Sequence, residues 1–208
     1  RASHGHGFVG MPFDGEQALR QAVRANLKQG VDWIKFYSTG TAVQPDGQIL
    51  SYYSVPEITA VIEEAHRAGV PVTSHCIGGP ALHQCLQAGI DCVEHAYYAG
   101  ETHLEAIAAH GVMICLTPSE YFTDKPHMPE KTRNLFQRHR PTVHRSMELI
   151  ARSGIPFVLG TDGMHGELAM EAAYAVSFGA DSRSVLQALT SRAARFLGLG
   201  SETGSIEV

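Results

Sequence analysis

Four side chains along this sequence have the chemistry to hold and use a divalent cation: Lys35, His75, His95 and Asp162. Neutral imidazole and carboxylate are good ligands for zinc and similar ions. A protonated lysine is not. Its amine serves only after losing its proton or after carboxylation by CO2, which yields a carbamate whose two oxygens can bridge two ions. Taken singly, each residue has a plainer explanation. Lys35 can snorkel to solvent from a strand end, a lone histidine is more often a satisfied core group than a ligand, and Asp162 before Gly163 can cap a helix or make a turn. Their shared placement carries the reading, because each closes a different apolar run at its C-terminal end. Twelve histidines against sixteen Lys plus Arg is a high count and points the same way.

Those apolar runs share a pattern that recurs five times: a glycine, then Val or Ile, then a short apolar stretch ending at a polar residue. The copies are 30–35 (GVDWIK), 69–75 (GVPVTSH), 89–95 (GIDCVEH), 111–117 (GVMICLT) and 154–162 (GIPFVLGTD). Such runs read as buried parallel strands. Between them lie stretches with apolar residues at helical spacing: 55–68, 80–88, 101–110, 142–153 and 183–197, with a further helix over 15–29. Helix, then strand–helix five times over, is an α/β pattern built on right-handed crossovers. An open doubly wound sheet usually carries a glycine-rich phosphate loop after its first strand, and none is present. A barrel places its chemistry at the C-terminal ends of its strands, where the four residues fall. A closed barrel needs eight strands and five are found. The expectation is a partial (β/α)8 TIM-like barrel, one domain over residues 1–208.

The segments 33–40 (WIKFYSTG), 72–75 (VTSH), 93–96 (VEHA) and 159–163 (LGTDG) resemble strands 4, 5, 6 and 8 of the amidohydrolase superfamily. Within it the similarity is to the branch of metal-dependent prolidases (Xaa-Pro dipeptidases), related carboxypeptidases and imidazolonepropionase. Residues 188–199 (ALTSRAARFLGL) and 204–207 (GSIE) resemble the last barrel helix and its exit. The resemblance implies strands 4–8 with their helices, without the first strands and the β-sandwich domain that family members carry. It also implies a binuclear centre of two zinc ions, with Mn, Co or Fe as alternatives, and CO2 to carboxylate Lys35. Lys35 is then the bridging ligand, His75 and His95 hold the second ion, and Asp162 ligates the first. Asp162 is also the catalytic group, taking a proton from the attacking hydroxide and delivering it to the leaving amine. Lys35 favours the peptidase-like branch, since imidazolonepropionase uses one metal and lacks this ligand. The family's first-strand His-x-His pair has no counterpart. Residues 3–7 (SHGHG) have no apolar run before them, and Lys35 follows His6 by 29 positions, too few for two further strands and helices. They resemble instead the Gly-His-Gly loop ahead of the helix that leads into strand 4.

Around this set, His165 in 163–166 (GMHG) and Tyr97, two residues after His95, are candidates to contact substrate. The proline-studded segment 118–141 reads as a substrate-covering loop, with Glu120, Tyr121, Lys125 and Arg133 placed to read a charged end. The remaining histidines, His66, His83, His103, His110, His127, His139 and His144, read as surface residues.

The expected function is metal-dependent hydrolysis of an amide or peptide bond in a small substrate, a dipeptide or N-acyl amino acid, by metal-activated hydroxide. A lactone, carbamate or phosphotriester hydrolase would use the same residues, and a non-catalytic barrel fragment that binds metal or a partner chain is the other class. The net charge of −5 without a basic run argues against nucleic acid as a partner. Charged residues make up 18%, below the roughly 25% of an average domain, as befits a chain that buries much of itself. No run approaches the roughly 18 apolar residues of a membrane span, and no signal segment opens the chain. The four cysteines form no C-x-x-C pair and read as free thiols of a reducing, cytoplasmic compartment. No G-x-S-x-G, H-E-x-x-H or Walker motif is present. Five strands of a barrel leave two open edges, so the chain is expected to need the missing strands or to oligomerise.

Overall fold

The computed structural model describes residues 13–44, 46–124, 128–162 and 166–207. Helices and parallel strands alternate through it, and it resolves into two compact units, residues 1–113 and 114–208. The first contains α1 (Glu16–Leu27), β1 (Ile34–Tyr37), α2 (Val55–His66), β2 (Val72–Gly78), α3 (Gly79–Gln87), β3 (Cys92–Tyr98) and α4 (Glu101–His110). Its strands pair in parallel in chain order, with Ile34 opposite Val72 and Thr73 opposite Cys92. All seven residues of β2, the central strand of the three, are buried. Parallel sheets covered on both faces need such continuous runs.

α2 shows how the sequence writes one such helix. Ser54 and Glu57 form a reciprocal capping box, Pro56 stands in the first turn, and Ile58, Val61, Ile62 and Ala65 make the buried stripe. At the other end Gly69 takes a φ of 72°, and the Val70 N–H returns to the Ala65 carbonyl. A left-handed residue is what lets the chain turn back into β2, and glycine adopts it without the Cβ clash.

The second unit holds β4 (Met113–Leu116, opening at the boundary), α5 (Ser119–Phe122), α6 (Glu130–Arg152), β5 (Phe157–Leu159), α7 (Leu168–Ser177), α8 (Ser182–Leu189) and α9 (Ser191–Phe196). β4 and β5 pair in parallel, Ile114 opposite Phe157.

Four expectations are corrected here. The covering loop over 118–141 is largely helical, because α6 begins at Glu130 and runs through Pro141. Phe136, Val143, Met147 and Ile150 bury one stripe of it, and that stripe outweighs the one backbone hydrogen bond a proline forfeits. The helix expected over 183–197 is two, broken where Thr190 leaves helical geometry at φ −127° and ψ −101°. There Arg192 reaches back to the Phe157 carbonyl at 2.9 Å and ties α9 to β5. α7 was not anticipated, since its alanine-rich sequence shows no clear apolar stripe. Finally, the strands begin two to four residues after the glycines that open the runs, and β2 and β3 continue past their histidines to Gly78 and Tyr98. Lys35 is thus the second residue of β1, and His75 and His95 are central in their strands. Among the described residues no helix is long and apolar enough to cross a membrane.

Candidate metal centre

Alternation along β1 turns Ile34 and Phe36 into the core and sends Lys35 and Tyr37 to the other face. Register places Lys35 beside Thr73 and Tyr37 beside His75. It also sets His75 beside Glu94. One face of three adjacent strands therefore carries Lys35, Tyr37, Thr73, His75 and Glu94.

His95 follows Glu94 directly, and strict alternation would send it to the opposite face. It does not go there. The imidazoles of His75 and His95 lie edge to face with centroids 4.6 Å apart, both rings buried. The backbone explains this: His95 has φ 77° and Ala96 φ 51°. Beyond them three residues of β3 span what two residues of β2 span, from the Cys76–His95 pair to the Gly78–Tyr98 pair. This is a bulge, the device by which a strand re-aims a side chain. Left-handed backbone at residues other than glycine costs on the order of 1–3 kcal/mol each and concentrates at functional sites. Among the described residues only His95, Ala96 and Asp162 show it.

The rings extend into a row. Tyr37 stacks on His75 at 4.9 Å and Tyr97 on His95 at 5.2 Å. His75 Nε2 lies 3.1 Å from the Gly40 carbonyl oxygen. With the proton on Nε2 as donor, the lone pair stands on Nδ1, the arrangement a histidine ligand needs. Lys35 Nζ lies 2.5 Å from Glu94 Oε2 and 5.6 Å from the centre of the Tyr37 ring. The Thr73 hydroxyl donates to Glu94 Oε1 at 3.1 Å, and Glu94 Oε2 is 3.8 Å from His95 Nε2. Glu94 was not among the residues singled out from the sequence. A carboxylate directly before a ligand histidine reads there as the other face of the strand.

In the second unit Asp162 follows β5 by three residues, at φ 48°. Aspartate tolerates this conformation better than most residues. Nearby, Glu171 of α7 is fully buried and accepts hydrogen bonds from both the backbone N–H (3.0 Å) and the hydroxyl of Ser119. Burial pushes its carboxyl above the usual range, the Ser119 bonds oppose this, and the negative charges of Asp162 and Glu120 add to the rise. Tyr121 is buried and stacked on Phe136 at 4.4 Å. Arg133 donates to the Met128 carbonyl at 3.3 Å, while its buried Nε meets no acceptor among the described residues. His165, Lys125, His4, His6 and His127 lie outside the described residues.

The surface reading of the other histidines fails for His103. Its ring is half-buried, accepts from the Gly100 N–H at 3.2 Å and lies 3.2 Å from the Gly79 carbonyl oxygen. His83 stacks on it at 4.5 Å.

The donor set fits a cation in part. Two buried imidazoles stand side by side with a lysine on the neighbouring strand. No group of three or more His, Cys, Asp or Glu side chains converges on one point among the described residues.

The sequence family model for the amidohydrolase family matches residues 2–208. The chain belongs to the amidohydrolase family. It spans about half the length of the first curated relatives it matches. An uncharacterised protein of Mycobacterium tuberculosis is 28% identical over 209 residues, which cover 92% of this chain and 54% of that one. Ochratoxinase of Aspergillus niger is 26% identical over 172 residues, 80% of this chain and 36% of its own. The ochratoxinase crystal structure superposes with a TM-score of 0.80 at 25% identity, covering 92% of this chain and 46% of that one. A Xaa-Pro dipeptidase with methionine bound in its active site gives 0.79 at 24%, covering 94% and 50%, and shows the shared fold. The α/β chain is thus part of an amidohydrolase barrel.

Proposed function

We propose that this amidohydrolase chain serves metal-dependent cleavage of an amide bond in a small substrate, a dipeptide or an N-acyl amino acid. The observation that carries this reading is the pair of buried imidazoles on adjacent strands, brought edge to face by left-handed backbone at His95 and Ala96. A relative named ochratoxinase and a neighbour named Xaa-Pro dipeptidase support the substrate class.

In this reading His75, His95, Lys35 and Asp162 hold two divalent ions, zinc in the first instance, with Lys35 carboxylated by CO2. Such ions lower the pKa of water and polarise a carbonyl. The chain's own residues do the rest. The Gly40 carbonyl fixes the His75 tautomer, and the Tyr37 and Tyr97 rings keep the two imidazoles from turning. The row of rings keeps water from the buried sides of both histidines. Asp162 takes a proton from the attacking water and passes it to the departing nitrogen, the general base and acid in turn. Tyr97 and His165 are the residues proposed to contact substrate, and residues 1–208 are taken to act as one domain.

Ion binding tests the reading. Zinc and manganese affinities are measured for the chain with bicarbonate present, beside His75→Ala, His95→Ala and Lys35→Ala. Each variant is expected to lose on the order of 100-fold or more in affinity, by removal of a ligand itself. Variants that bind as the parent does, or a parent that binds no ion, would overturn the assignment. A panel of Xaa-Pro dipeptides and N-acyl amino acids then tests the substrate class.

A further inference from the structure

We propose that Glu94 is a positioning residue of the cation site, holding the Lys35 ammonium against β3 in the ion-free chain and supplying the negative charge that lets cations approach two histidines and a lysine. This rests on the reading of Lys35, His75 and His95 given above.

The carboxylate pairs with Lys35 and reaches towards His95. Oε2 pairs with Lys35 Nζ at 2.5 Å and lies 3.8 Å from His95 Nε2, and Oε1 is held by the Thr73 hydroxyl at 3.1 Å. Glu94 is also the cross-strand neighbour of His75. Its side chain is only 15% exposed, against 41% for that of Lys35. A solvated strand residue would not be so placed. The left-handed backbone at His95 and Ala96 brings two consecutive residues, Glu94 and His95, to the same face as Lys35.

Charge gives the direction of the effect. An uncompensated lysine ammonium beside the histidines repels a dication, and Glu94 cancels it. Once ions are bound they are the largest local charges, so a nearby carboxylate favours them whatever form Lys35 then takes. Outer partners of metal ligands typically change ion affinity by roughly 10–100-fold when removed.

The test uses the chain stripped with a chelator, in four forms: parent, Glu94→Gln, Thr73→Val and Lys35→Ala. Zinc and manganese affinities are read by competition with a chromophoric chelator. Methylation of Lys35 by formaldehyde and borohydride is followed by mass spectrometry of its peptide, and melting temperature is recorded alongside. Glu94→Gln is expected to weaken ion binding roughly 10–100-fold and to speed Lys35 methylation, with its melting temperature near the parent's. Thr73→Val should move both readouts the same way by less, and it decides the matter if Glu94→Gln does not fold. Parent-like ion affinity, or unchanged Lys35 methylation, in the variant that folds overturns the proposal. Lys35→Ala separates the two levels of argument. If it binds ions as the parent does, the site reading itself fails. If it loses them while Glu94→Gln keeps them, only the role of Glu94 fails.

Discussion

Glu94 and Glu64 are both carboxylates of the first unit paired with cations, and their surroundings differ in kind. Glu64, on α2, meets Arg24 at 2.6 and 3.2 Å, Arg67 at 3.3 Å and Arg20 at 3.5 Å. The hydrogen bonds and charge of Arg24 hold its carboxyl below the usual range against the cost of burial. Every group there sits on a regular helix or at its cap, and none is a ligand type. Glu94 has one lysine and one hydroxyl, with two imidazoles beside it and left-handed backbone immediately after it. The pairing of charges is therefore no mark of a site. The mark is the coincidence of ligand-type side chains with a backbone conformation that the sequence does not favour.

A third carboxylate sharpens the comparison and carries the largest expected effect on stability. Glu171 is buried like Glu64, but its two hydrogen bonds come from the N–H and hydroxyl of Ser119. A hydrogen bond to a charged group contributes about 1.5–3 kcal/mol net, and a buried charge that loses a donor forfeits it fully. Ser119→Ala is expected to lower unfolding free energy by about that amount in urea titrations at neutral pH. The sign with pH follows from the direction of the shift. A carboxyl raised by burial favours its neutral form in the folded state, so the loss is greatest when Glu171 is ionised and shrinks as pH falls through its raised value. A loss that grew on acidification would show that Glu171 is not the acceptor that matters.

Next in size is the bulge itself. Gly78 sits at φ 138°, where a Cβ would meet the Tyr98 backbone at 3.1 Å. Gly78→Ala is expected to cost about 1–3 kcal/mol, as a residue forced into a glycine-only region. It should also weaken zinc binding, because the register of β2 on β3 beyond Cys76 aims His95. Full ion affinity with lowered stability would detach the site from the bulge.

This is also where legibility from sequence ran out. Lys35, His75, His95 and Asp162 stand out in the sequence as candidates because polar ligand types fall at the ends of apolar runs. The α/β alternation was visible for the same reason. Glu94 was not, since a period of two sends it away from His95, and only the left-handed turn at His95 and Ala96 brings both to one face. Nor was α6, whose buried stripe is thinly spread among charges and crosses Pro141, a residue that ordinarily ends helices. His103 was missed because a histidine three residues past Gly100 reads as helix surface, whereas its ring closes the first turn of α4.

His103 gives the smaller, pH-dependent test. Burial lowers its pKa, the Gly79 carbonyl opposes this, and His83 adds to the lowering. Its neutral ring accepts from the Gly100 N–H, and a protonated ring would aim a second N–H at the same donor. A histidine lowered in the folded state contributes stability that is full above the ordinary value of about 6.5 and is lost as pH falls below it. The unfolding midpoint should fall as pH drops below about 6.5, and His103→Gln should flatten that slope. An unchanged slope in the variant would assign the pH dependence elsewhere.

The smallest expected effect closes the comparison from the other side. Arg24 is 58% exposed although its partner is buried, and exposed ion pairs contribute little after solvent screening. Arg24→Ala also leaves Glu64 its bonds to Arg20 and Arg67. A slight fall in melting temperature is expected, with zinc affinity, Lys35 methylation and hydrolysis all as in the parent. Salt discriminates further, since an exposed pair fades at high ionic strength while one beside buried rings is screened much less. If Arg24→Ala altered ion affinity as strongly as Glu94→Gln, the charge balance of the whole unit would govern the site. The local arrangement of Glu94, Lys35 and the two histidines would then lose its claim to set cation affinity.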